Sequence, residues 1–430
     1  MGLRKKSERS EMLKRMLKID LPFLAIMTLS NVIAYASIVI SGRMLGPHEF
    51  GKVGALLGLY YILIIPGSII QMNFARLSSH NKDNSVHIKN LVASGFYKFL
   101  PLSLGILVAI ILTTPFLSPL LKINSPASFS LLAVTMASFY LLSILSGVVQ
   151  GLHKFIKLGF LNIVLSILKI SVAVPLIAFG LQAPAVIAGY LSATLGAAVY
   201  CLFILKIKNP FSGARDLKVF DKNSAVLFLT MIGMVIVNES SILFVKAFLD
   251  YDTAGNYAAM VTLGNAIIFS VGAIIQILFP TVSNAYKNNK DFCKPAKRTF
   301  FSAFAICVLA MLAYYLLPDS FWALLFGKKF SLDVVLLVAY SGFASLFALS
   351  SFFVNFLLAL ENKKIWLASL AAATMEIILI LFFHQDIFQI ILSLLLPVVI
   401  LLSYLIFATI KTLKHIYEPT NSSTNTTNLG

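Results

Sequence analysis

Polar positions along this chain interrupt long apolar runs rather than alternating with apolar ones. The runs lie near 20–42, 51–74, 94–117, 127–150, 158–180, 184–205, 224–248, 255–281, 298–317, 332–359, 364–384 and 387–410. Each reaches the ~20 residues that cross a bilayer core as a helix. The pattern therefore predicts an all-α integral membrane protein with about twelve transmembrane helices. The connections are short, the longest outer one being about 318–331, so no inserted soluble domain is expected.

Composition agrees with the pattern. Of 430 residues, 59% are apolar and 12% charged, with a mean hydropathy of +0.91. Soluble domains carry ~25% charged residues, so an ordinary cytosolic protein is excluded. A net charge of +17 would point to nucleic acid in a soluble chain. In a membrane protein it reads as orientation, because Lys and Arg collect in cytoplasmic loops. With the N-terminus inside, 27 Lys and Arg fall on the cytoplasmic side and six outside, with Lys169 within a span. Both termini are thus expected in the cytoplasm of a multi-pass cell-membrane protein, with no nucleic-acid partner. Cys201, Cys293 and Cys307 have no metal or disulfide spacing.

The reading divides the chain into a basic amphipathic arm (1–18), a first six-helix bundle (19–206), a cytoplasmic linker (207–222), a second bundle (223–411) and a polar cytoplasmic tail (412–430). In the arm, Met12, Leu13, Met16 and Leu17 share a helical face beside Lys14, Arg15 and Lys18, which suits an anionic cytoplasmic leaflet, but the favoured reading is a simple topology signal. The tail sequons Asn421-Ser422-Ser423 and Asn425-Thr426-Thr427 fall on the cytoplasmic side, where they are accidental.

An internal repeat is visible at an offset of 204. RMLGPHEFGKVGAL (43–56) aligns with AFLDYDTAGNYAAM (247–260), matching Leu45 with Leu249, Gly51 with Gly255 and Ala55 with Ala259. Six spans per half is an even number, so the halves share one orientation, a parallel repeat. Two bundles around a central cavity, working by alternating access, are the expected arrangement.

Several stretches also resemble a known family. RMLGPHEFGKVGALLGLYYIL (43–63), GVVQGLHKF (147–155), AGNYAAM (254–260) and ILFPTVSNAYKN (277–288) are similar to motifs of the polysaccharide transporter family. These lipid-linked oligosaccharide flippases belong to the multidrug/oligosaccharidyl-lipid/polysaccharide exporter superfamily. The resemblance implies a transporter rather than an enzyme, without a cofactor. Its cargo would be a polyprenyl phosphate or pyrophosphate sugar, moved across the cytoplasmic membrane for polysaccharide or glycan export.

Charge at membrane depth is costly and marks function. Asn162, Ser166 and Lys169 share one face of the fifth span, a stripe suited to holding phosphate. Asn31, Tyr35 and Arg43 on the first span join them as candidate substrate-binding residues. So do Asn238, Ser241 and Lys246 on the seventh span, and Asn265 and Gln276 on the eighth. Glu239 and Glu376 are candidate sites for a coupling ion, Na+ or H+; for Glu239 an ion pair with Lys169 is the competing structural role. The rival function is a cation-coupled antiporter exporting drugs or metabolites on the same fold, with Glu239 as its acidic site.

Overall fold

The computed structural model describes residues 21–80, 84–212, 222–287, 291–362 and 364–417. The basic arm, part of the linker and most of the tail, sequons included, lie outside these residues. Every regular element among the described residues is helical. In chain order they are α1 (Leu21–Leu63), α2 (Ile65–His80), α3 (Ser85–Leu120), α4 (Pro126–Gly151), α5 (Phe155–Ala178), α6 (Ala183–Leu205), α7 (Lys222–Phe248), α8 (Tyr251–Lys287), α9 (Cys293–Leu316), α10 (Asp319–Phe326), α11 (Val334–Ala359), α12 (Ile365–Phe382) and α13 (Ile387–Tyr417).

Eleven stretches are long and apolar enough to cross a membrane, with Ala25–Ser79 counted as one. That stretch has 55 residues, or ~80 Å if it were a straight helix. It is not straight. Gly46 takes φ 75 and ψ 172, which ends the first arm of α1, and Pro47 starts the second. A positive φ of this kind is open to glycine at no steric cost. Farther on, Pro66 supplies no amide hydrogen, yet Ser68 N still donates to Ile64 O at 3.0 Å, so the axis continues from α1 into α2.

Helix ends follow the local sequence where capping residues exist. Asn84 caps α3 by accepting from His87 N at 3.0 Å, and Ser125 with Pro126 opens α4. One connection differs from expectation: 318–331 is not a plain loop. Pro318 starts the short helix α10, whose Trp322 and Phe326 are buried.

The described residues divide into two compact units. The first contains the residues up to Phe228, with Glu239–Thr262 and Pro318–Asp333. The second contains Leu229–Asn238, Leu263–Leu317 and the residues from Val334 onward. Within the first unit α4 is central, and its Tyr140, Ile144 and Val148 pack with Phe74, Phe96, Phe99 and Cys201 in one core. The second unit has its own core of Val271, Phe292, Cys307, Phe352 and Phe356. Large apolar side chains such as Phe116, Phe203 and Phe382 project outward, as lipid-facing positions should. Many hydroxyls inside the spans are satisfied locally: Ser41, Ser78, Ser103 and Thr194 each donate to the carbonyl four residues back.

Candidate substrate site

Lys169 lies midway along α5, where α6 comes unusually close. Gly189 makes the approach possible, since a Cβ there would sit 2.6 Å from Lys169 O. The next residue, Tyr190, places its ring under the ammonium, with Lys169 Nζ 4.0 Å from the centroid. This cation–π contact is the interaction that Lys169 makes; it is not ion-paired with Glu239. The Tyr190 ring meets Tyr60 edge to face at 4.9 Å, and Tyr60 meets Tyr61 at 5.5 Å. Tyr61 and Tyr190 also share a side-chain hydrogen bond, and both feel the charge of Glu239. Glu239 is buried at the point where Gly58 lets α7 approach α1, its backbone oxygen 3.3 Å from where a Cβ of Gly58 would be.

One cation, three tyrosines and one carboxylate therefore form a cluster inside the first unit. Phenol rings offer apolar faces and hydroxyl donors together, Lys169 offers three donors, and Glu239 offers acceptors. Such a set brings apolar ring faces, hydrogen-bond donors and acceptors, and a positive charge together in one place. Tyr60, Tyr61 and Tyr190 were missed in reading the sequence, although the signal was present. Tyrosine is most at home at membrane interfaces, so a Tyr-Tyr pair deep in the LYYIL run called for polar partners.

The other candidates are placed variously. Ser166 is buried and donates to Ser30 O at 3.0 Å, with its Oγ also 3.0 Å from Ser30 Oγ. Asn162 donates to Leu158 O at 3.0 Å and to Met27 Sδ at 3.4 Å. Both side chains thus join α5 to α1 rather than standing beside Lys169. Asn31 is exposed and Tyr35 half-buried. Arg43 is exposed and donates to Leu324 O at 2.6 Å, tying the Gly46 turn to α10. Ser241 and Lys246 are fully buried in the first unit. In the second unit, Asn238 Nδ2 donates to Asn265 Oδ1 at 3.4 Å, Gln276 is exposed and Glu376 is fully buried.

The fold is all-helical and multi-pass, and solved transporters share it. A multidrug resistance MATE family transporter of the MOP superfamily, in an inward-facing conformation, superposes with a TM-score of 0.71 at 12% identity, over 92% of this chain and 99% of that one. The lipid II flippase MurJ, in an inward closed conformation, gives 0.69 at 15% identity, over 92% and 89%. A MOP superfamily transporter from Pyrococcus furiosus, described as having a binding pocket of reverse polarity, gives 0.62 at 13% identity, over 93% and 96%. No curated protein sequence matches the chain. The sequence model of the polysaccharide biosynthesis protein family matches residues 22–286, more than half of the chain. The protein belongs to that family, and its fold is the one these MOP superfamily transporters share.

Proposed function

We propose that this transporter flips a lipid-linked oligosaccharide, a polyprenyl phosphate or pyrophosphate sugar, across the cytoplasmic membrane by alternating access. The observation that carries the reading is Lys169, a mid-span cation set over Tyr190 and held in no ion pair among the described residues. A permanent ion pair would neutralise it; an aromatic face leaves its charge available to an anionic cargo. The tyrosines around it suit a sugar head, and the lipid tail need never leave apolar surroundings. Family membership supports the substrate class, since polysaccharide assembly requires such carriers.

The topology proposed with it has twelve crossings and both termini in the cytoplasm. Eleven stretches of span length, with the break at Gly46 dividing the longest, support the number. The Lys and Arg asymmetry supports the orientation.

Export of the lipid-linked sugar, measured together with protein abundance in the membrane, tests the role of Lys169. Lys169→Ala should insert normally and lose most export, a drop of ~10-fold or more given the weak screening of charge in a partly dry site. Lys169→Arg should rescue in part, because the charge survives while shape and hydration change. Lys169→Glu should be the worst of the three. Full export by abundant Lys169→Ala would remove Lys169 from the site.

The antiporter reading keeps one specific support, the buried Glu239 beside Tyr61 and Tyr190. It predicts that Glu239→Gln abolishes proton- or sodium-driven efflux of a cationic compound, an activity that the flippase reading does not require.

A further inference from the structure

We propose that a second anion site, for a phosphate-class oxyanion, is built on Lys246, Lys52 and Lys122 at the turn end of the first unit. It stands apart from Lys169 and does not rest on the transport reading.

The argument starts from Lys246. It lies in the last turn of α7, is 0% exposed, and its Nζ donates no hydrogen bond. Its contact is the Tyr251 ring, with the centroid 4.0 Å away. An ammonium has three donors, and burying one with all three unused costs far more than a ring face returns.

The carboxylates nearby do not supply the missing acceptor, because each is already committed. Glu49 Oε1 takes Lys52 Nζ at 2.5 Å and lies 3.2 Å from the His48 ring nitrogen. Asp250 caps α8, its Oδ2 accepting from Thr253 N at 2.9 Å. Lys52 and Lys122 both act on Lys246 as repelling charges, opposed by Glu49 and Asp250. Lys122 is anchored at the same turn by donating to Leu249 O at 2.9 Å.

Cations therefore outnumber carboxylates around a buried donor that nothing in the protein uses. The fold tolerates this when an external anion completes the set. Lys52 and Lys122 are partly exposed, so the anion enters from their side and Lys246 forms the floor. Three point charges on flexible stems suit the spread oxygens of a phosphate. A free phosphate and the phosphate of a lipid headgroup offer the same chemistry.

The test uses the full chain in zwitterionic nanodiscs. Pyrophosphate and inorganic phosphate are titrated against chloride at constant ionic strength, with melting followed by tryptophan fluorescence. Saturable stabilisation by the phosphates, with little by chloride, is expected. Lys246→Met, which keeps the apolar stem, should weaken the response ~30-fold or more. Lys52→Gln serves if Lys246→Met does not fold, and the weakening caused by Lys246→Met should persist on a Lys169→Ala background. Equal stabilisation by chloride overturns the proposal, as does a response kept in both Lys246→Met and Lys52→Gln. Loss of the response only in Lys169→Ala also overturns it, by placing the anion at the tyrosine cluster. Native mass spectrometry in nanodiscs containing anionic phospholipid then distinguishes the sources. Retained phospholipid that pyrophosphate displaces marks a headgroup, and no retention marks a soluble phosphate; the site stands in either case.

Discussion

At the residue scale, some of the most informative positions are ones where an ordinary side chain sits in a glycine conformation. Lys122, His153, Lys206 and Glu361 have φ of 51, 55, 56 and 61. Each follows a helix whose carbonyl five residues before the next amide accepts its hydrogen: Ile123 N to Ser118 O, Lys154 N to Val149 O, Ile207 N to Leu202 O and Asn362 N to Leu357 O. These are left-handed helix stops of the type that glycine normally supplies. Lys206 adds a charge conflict. The pKa of Lys154 is lowered by partial burial first, then by Lys157 and Lys206. Lowering the folded-state pKa of a base means that the fold disfavours its proton. The penalty is present at neutral pH and disappears as pH rises past 10.5, the ordinary value of the group. Lys206→Gly should relieve both strain and repulsion, raising stability by about 1 kcal/mol. Melting in detergent should show the gain at pH 7, and the gain should shrink, without vanishing, above the ordinary lysine pKa.

At the scale of elements, helix contact is governed by where Cβ atoms are missing. Gly147 and Gly151 lie four apart on α4 and face α2. A Cβ at Gly147 would collide with Gln71 O, and one at Gly151 with Ala75 O. Small residues at this spacing let membrane helices approach backbone to backbone. Gly151→Ala should force α4 away from α2 and cost at least about 1–3 kcal/mol, read as a lower melting temperature and reduced abundance. The GVVQG motif is thus a packing device, and Gln71 to Gln150 at 3.2 Å adds one polar tie beside it. Helices themselves were legible in the sequence because an apolar run of span length has few other destinies. Their edges were less so. The stops at Lys122, His153, Lys206 and Glu361 carry no glycine to announce them, and α10 hides in a segment too short to register as a span. The site was only half legible. Lys169 stands out as a charge among apolar neighbours, whereas the structure has Ser166 and Asn162 on the same stripe hydrogen-bonded to α1. Period alone does not separate a face toward cargo from a face toward a neighbour.

For the whole molecule, the orientation proposed above makes a direct prediction. On a cysteine-free background, Arg215→Cys should react with an impermeant thiol reagent only after the membrane is opened. Labelling in intact cells would overturn the cytoplasmic placement of the 207–222 linker. A cysteine replacing Lys328, placed outside by the same count, should show the opposite behaviour.

Positions 204 apart in the chain also touch. A Cβ on Gly51 would lie 2.9 Å from Gly255 N, and one on Gly54 would lie 2.9 Å from Ala258 Cβ. A residue meets its own counterpart only beside a two-fold axis, the geometry of an isologous dimer interface. Under the proposed repeat, these contacts are what a self-pairing ancestor leaves in a fused chain. While both partners came from one gene, any added methyl appeared twice at the same point. On that reading fusion would lift the constraint, one copy accepting the methyl at 258 while its mate at 54 stayed bare. The pair therefore has room for one methyl, and moving it to position 54 would also bring it 3.2 Å from Ile242 Cγ1. Gly54→Ala alone should destabilise the protein, and adding Ala258→Gly should restore most of the loss. Under that repeat, the two halves would be accountable to each other atom by atom, though no longer identical.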